Sequence, residues 1–153
     1  MEKQGGFLLI EVVIAFFILT IFGSIFISAY KICGMAMTNY KLNIACKLLA
    51  NDIASAQAEV MYNDFGETSN SIVIHDDHAG YSIFINKKTV KKVDFADYNC
   101  GDVYLASNIQ GIISFTSTGA PRVYTVWELI IQGQKHILLK IQPVTGRIVF
   151  EEL

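Results

Sequence analysis

The sequence predicts an α+β protein: one long N-terminal helix, transmembrane then amphipathic, packed on a mostly antiparallel β-sheet head of about seven strands. Three observations carry this. An apolar block runs from Phe7 to Ile27 with Glu11 as its one charge. Residues 35–62 contain no Gly or Pro and repeat apolar residues at helical spacing. After Gly66 the pattern switches to short β-rich segments punctuated by turn residues.

The apolar block comes first. At 1.5 Å per residue, Phe7 to Ile27 spans about 32 Å, close to a hydrocarbon thickness of about 30 Å. A carboxylate at that depth costs on the order of 3 kcal/mol, so Glu11 marks a site with a partner. A plain anchor does not explain Glu11. A cleaved secretory signal would have a shorter, uncharged core, and the best downstream cut, Ile27-Ser28-Ala29, lacks a small first residue. Gly23 and Gly34 are soft points, each costing up to about 1 kcal/mol against Ala.

Next, Leu42, Cys46, Leu49, Ile53, Ala56 and Val60 recur at steps of four and three, a stripe that predicts burial against the head. Lys41, Lys47, Asp52, Ser55 and Glu59 are read as lying mostly away from it. The helix is therefore expected from Phe7 to about Tyr62. Strands are predicted at residues 71–75, 81–86, 89–95, 111–116, 123–132, 135–142 and 147–150, with a turn-rich loop containing Asn99, Gly101 and Asn108 between the third and fourth. The implied organisation is a leader over residues 1–6, a membrane-spanning helix over 7–32 and a head over 33–153.

Bulk properties exclude little. The net charge of −2 and pI near 5.9 give no global argument for nucleic acid. Cys33 and Cys46 lie about 20 Å apart along one predicted helix, too far for a disulfide. A Cys46–Cys100 bridge is stereochemically open; buried free thiols are the preferred reading. His75-Asp76-Asp77-His78 has metal-ligand atoms, but consecutive strand residues point to opposite faces and cannot surround one ion, so the tetrapeptide reads as a turn and no metal is assigned. Lys87, Lys88, Lys91 and Lys92 place four ammoniums on one hairpin, either a protected strand edge or a phosphate-contacting patch. No nucleophile elbow, His-Glu-x-x-His or phosphate loop occurs, so no enzyme activity and no cofactor are assigned.

The leader Met1-Glu2-Lys3-Gln4-Gly5-Gly6, the Gly6-Phe7 junction, Glu11 and the apolar length together resemble the N-terminus of a type IV prepilin or pseudopilin. In the C-terminal half, Phe115-Thr116-Ser117-Thr118-Gly119, Trp127-Glu128-Leu129, Gly133-Gln134-Lys135 and Thr145-Gly146-Arg147-Ile148 resemble the GspH/FimT and ComGD group of minor pilins and pseudopilins. The resemblance implies cleavage by prepilin peptidase between Gly6 and Phe7 and N-methylation of Phe7. It implies that Glu11, then the fifth residue, pairs with a neighbouring subunit's N-terminal ammonium. It also implies a single-pass protein of the cytoplasmic (inner) membrane with its head outside. Its partners would be other pilin subunits and an assembly platform membrane protein, in a fibre for type II secretion, competence DNA uptake or a type IV pilus. Leu8, where the family often has a small hydroxyl residue, and the lack of a helix-breaking proline are departures. A DNA-receptor role through Lys87, Lys88, Lys91 and Lys92 is the alternative.

Overall fold

The computed structural model describes residues 5–62, 70–107, 111–131 and 136–152. Residues 1–4 of the expected leader, and Gly133, Gln134 and Lys135, lie outside them. The first element is α1, Gly5–Tyr62, which runs unbroken through Gly23 and Gly34. The chain divides after Met37 into two compact units.

The described part of the first unit, from Gly5, is helix. It contains a window of mean hydropathy 2.6 with none of it buried, and α1 is long and apolar enough to cross a membrane. The hydroxyls within this stretch are internally satisfied. Thr20 and Ser24 donate to the carbonyls of Phe17 and Ile21 at 2.8 Å, and Ser28 donates to that of Ser24 at 2.9 Å. Such back-bonding removes their need for an outside partner in an apolar medium.

The second unit combines the C-terminal part of α1 with two antiparallel four-stranded sheets. The strands are β1 (Ser71–Ile74), β2 (Gly80–Ile85), β3 (Lys88–Asp94), β4 (Val103–Ser107), β5 (Ile112–Ser114), β6 (Thr125–Ile131), β7 (His136–Ile141) and β8 (Ile148–Glu152). One sheet has the order β3-β2-β1-β5 and the other β4-β6-β7-β8. Two expectations are corrected here. Eight strands are described instead of seven, because β4 forms in the stretch read as a loop, and they make two sheets where one was expected. Burial along Val103-Tyr104-Leu105 alternates as in a strand: Val103 and Leu105 are fully buried and Tyr104 is exposed. Its pairing with β6, Val103↔Ile131 to Ser107↔Trp127, supplies the partner that so short a segment needs.

The helical stripe packs as expected. Leu42, Cys46, Leu49, Ile53, Ala56 and Val60 are all buried, and they share one core with Ile72, Tyr81 and Ile113 of the first sheet and with Leu105, Trp127, Leu129 and Leu139 of the second. In β6 burial alternates along the whole strand, which places Thr125, Trp127, Leu129 and Ile131 inward.

Asp52 corrects another expectation. It is only 4% exposed, not turned away from the stripe. Its carboxylate accepts from the Tyr81 hydroxyl at 2.7 Å and from Lys91 Nζ at 2.7 and 2.8 Å. Burial and the Asp52 carboxylate push the Tyr81 phenol well up, so it remains a donor. Farther along α1, Gln57 Nε2 donates to the carbonyls of Gly119 (3.0 Å) and Gly146 (2.8 Å). Both glycines have positive φ, +76° and +66°, and a Cβ on Gly146 would lie 2.8 Å from the Gly119 oxygen. Two loops thus meet on one helical side chain, and glycine is required where they touch.

Candidate functional site

The outer surface of α1 presents the first candidate. Glu11, Ala15 and Leu19 follow one another at four-residue spacing along a single ridge. Val12, Ala15, Phe16 and Leu19 line a shallow apolar groove of about 250 Å³. The small Ala15 between larger side chains leaves a hole of the kind a neighbouring helix fills with a knob. Glu11 is exposed at the head of that ridge and has no ion-pair partner among the described residues. Gly6 and Phe7 belong to the first turns of α1. The arrangement provides a carboxylate beside a shallow apolar groove, with no group positioned for bond chemistry among the described residues.

The β2–β3 hairpin is the second. Asn86 and Lys87 have φ of 51° and 64°, the left-handed pair that closes a tight hairpin. The four lysines do not form one row. Ile83 faces Lys91 across the ladder and Ser82 faces Lys92, so these neighbours project from opposite sides of the sheet. Lys91 is held by Asp52, whereas Lys87, Lys88 and Lys92 are exposed. Three ammoniums therefore remain on the surface, divided between two faces and the hairpin tip.

Lys92 also borders an open concavity of about 460 Å³ with Val73, His75, Asp76, Asp77, Ser82 and Phe84. Here the tetrapeptide His75–His78 serves the turn. His75 Nε2 hydrogen-bonds Ser82 Oγ at 2.8 Å, Asp77 accepts from the Ala79 amide, and His78 Nδ1 bonds the Leu105 carbonyl at 2.7 Å. Each imidazole is thus tied to a different strand, and the described residues hold no group of three His, Cys, Asp or Glu able to share a metal ion.

Cys46 and Cys100 are buried free thiols and Cys33 is an exposed one. Burial, reinforced by the Glu152 carboxylate, pushes the Cys46 thiol up to about 12. Burial also raises Cys100, with Asp102 adding and Lys41 opposing. Neither is a nucleophile at neutral pH.

Reading residues alone missed Asp52, Tyr81 and Gln57. A signal for Asp52 was there: it lies three residues after Leu49 and four before Ala56, which is stripe spacing. Gln57 had no such signal, because its partners are carbonyls of distant turns.

No protein-family model, curated protein or solved structure matches the chain.

Proposed function

We propose that the chain is a structural subunit of a pilus-like fibre, a minor pilin or pseudopilin processed by prepilin peptidase and built in by its N-terminal helix. The observation that carries this is the length of exposed apolar helix. Large apolar side chains are exposed from Leu9 to Tyr40, including Tyr30, Ile32, Met35 and Met37 beyond Ile27. That is about 48 Å of helix at 1.5 Å per residue. A hydrocarbon layer of about 30 Å covers only part of it. The remainder needs protein, and other helices of the same kind are the natural cover. Glu11 adds a charge that such neighbours would neutralise: an N-terminal ammonium created by cleavage before Phe7 is opposite in sign and equally in need of a partner in low dielectric. The work of the chain is mechanical, not catalytic.

The test is processing. Mass spectrometry of the membrane-extracted protein should find a mature chain that starts at methylated Phe7. Replacing Gly6 by a bulky residue should leave the full-length form in the membrane. A mature start after Ala29 would overturn the reading.

Contact with DNA through Lys87, Lys88 and Lys92 has the weaker support, because Lys91 is engaged by Asp52 and the other three do not share a face. A salt-dependent mobility shift of the detergent-solubilised chain, lost when all three are replaced by Gln, would favour it.

A further inference from the structure

The two sheets have four edge strands, and the structure treats them differently. β5 is closed off by its own continuation: the Arg122 amide donates to the Ser114 carbonyl, and Phe115 pairs with Pro121. β4 is covered at its centre by His78, which accepts from the Leu105 amide with its carbonyl and bonds the Leu105 carbonyl with its ring. β3 carries Lys88, Lys91 and Lys92, and its register shift leaves Val90 as an unpaired bulge residue. Lysines and bulges are the usual protection against pairing with another chain.

β8 lacks lysine and bulge among the described residues, and its charges are Glu151, paired with Lys140 of the adjacent β7, and Glu152 at its end. Its sequence Ile148-Val149-Phe150-Glu151-Glu152 has no lysine, proline or bulge, and its ladder to β7 is regular from Ile141↔Ile148 to Ile137↔Glu152. Phe150 lies opposite the fully buried Leu139 yet is 42% exposed, because no further strand shields its ring. An edge of this kind is a template for strand addition.

We infer that β8 pairs antiparallel with β8 of a second copy, centred on Phe150, joining the two β4-β6-β7-β8 sheets into one continuous sheet. Charge decides for this occupant. In that register Glu151 falls opposite Val149 and Glu152 opposite Ile148, and the two Glu151 carboxylates lie on one diagonal, each held by Lys140 of its own chain. Arg147, exposed in this chain, then lies diagonal to Glu151 of the other copy and on the same face. Diagonal neighbours are about 7–8 Å apart, within reach of long side chains. The same residues in a parallel arrangement would stack Glu on Glu and Arg on Arg. The two Phe150 rings meet across the junction and cover each other. An isologous contact of this kind closes at two copies. The inference stands on the head alone and does not depend on the processing or assembly of α1.

The test is cysteine cross-linking of the full chain in membranes, with Cys33→Ser as background. Across an antiparallel pair, Cα atoms lie about 4.5–5.5 Å apart, within disulfide range. Phe150→Cys should therefore give a disulfide dimer on mild oxidation. Glu152→Cys should not, because the two copies of that position would be about 13 Å apart along the strands. Val90→Cys, on the protected β3 edge, is the collision control. The expected yield at position 150 is at least about tenfold that at 90 or 152. Adding Arg147→Glu should lower it about twofold to fivefold by replacing the cation beside Glu151 of the other copy with a further like charge. Fluorescence of Trp127, the sole tryptophan and fully buried, reports that each reduced variant is folded. Equal yields at positions 90, 150 and 152, an Arg147→Glu yield that does not fall, or cross-linking of Phe150→Cys only to a different protein would each overturn the inference.

Discussion

Between Leu9 and Met37 nearly every large apolar side chain of α1 is exposed, whereas between Thr38 and Tyr62 Leu42, Ala45, Leu49 and Ile53 are fully buried. The two stretches belong to one helix and have similar backbone geometry, so the difference lies in how apolar residues are distributed around the axis. In the first they occupy all sides, which suits an apolar surrounding. In the second they keep to one side, and Lys47, Asn51 and Glu59 take the exposed one. Hydrophobicity alone says that a segment must be covered; its period says whether the chain covers it itself.

Five substitutions bear on that comparison, in order of expected effect. The largest is Glu11→Val. On the proposed role, membrane insertion and cleavage at Gly6 should be unchanged, because removing the charge improves hydropathy, while co-purification with other fibre subunits should be lost. Normal co-assembly of this variant would mean that Glu11 is not the contact between subunits, and that the exposed half of α1 is only an anchor.

In the buried half, Ile53→Ala should cost about 2–5 kcal/mol in thermal unfolding of the detergent-solubilised chain followed by Trp127 fluorescence. A loss below about 0.5 kcal/mol would mean that this face meets a partner and not the sheets.

Asp52→Ala comes next, at about 1–3 kcal/mol, because it strands the buried Tyr81 hydroxyl; Lys91, 41% exposed, can turn to water. Tyr81→Phe alone should cost about 1 kcal/mol, and the double variant should cost less than the sum. Additive losses would show that the two groups act independently.

The smallest effect belongs to Asp102, which pairs with Lys41 at 2.8 Å on the surface. The Lys41 hydrogen bond is the main reason that its carboxyl is held below the usual value. A depressed carboxylate contributes stability above its ordinary pKa and loses it as pH falls through the lowered one. Asp102→Asn should therefore cost under about 1 kcal/mol at neutral pH, because the Asp102 side chain is half exposed, and nothing in strong acid. A cost that persists at low pH would have another source.

Much of this was legible in the residues, for identifiable reasons. The span of α1 and its stripe depend on local period, and seven strands were bounded by Gly, Asn and Pro turns that act locally. β4 was not legible, because Val103-Tyr104-Leu105 gains strand character only from β6, distant in sequence. The division into two sheets was equally hidden, since strand order is set by which apolar faces meet around the helix. At the candidate site, Glu11 stood out as a lone charge. The unequal roles of Lys91 and Lys92 did not, because a bulge at Val90 and a buried Asp52 decide which of them is free.

The ties between α1 and the rest of its compact unit have a consequence for force. Lys41 to Asp102, Asp52 to Tyr81 and Lys91, and Gln57 to Gly119 and Gly146 are spread over about 24 Å of helix axis. A pull along that axis loads all three in parallel, as rivets in a lap joint share shear. A pull across it would strip them in sequence, each alone. The spacing makes the helix hard to draw out lengthwise and easier to peel away from one end.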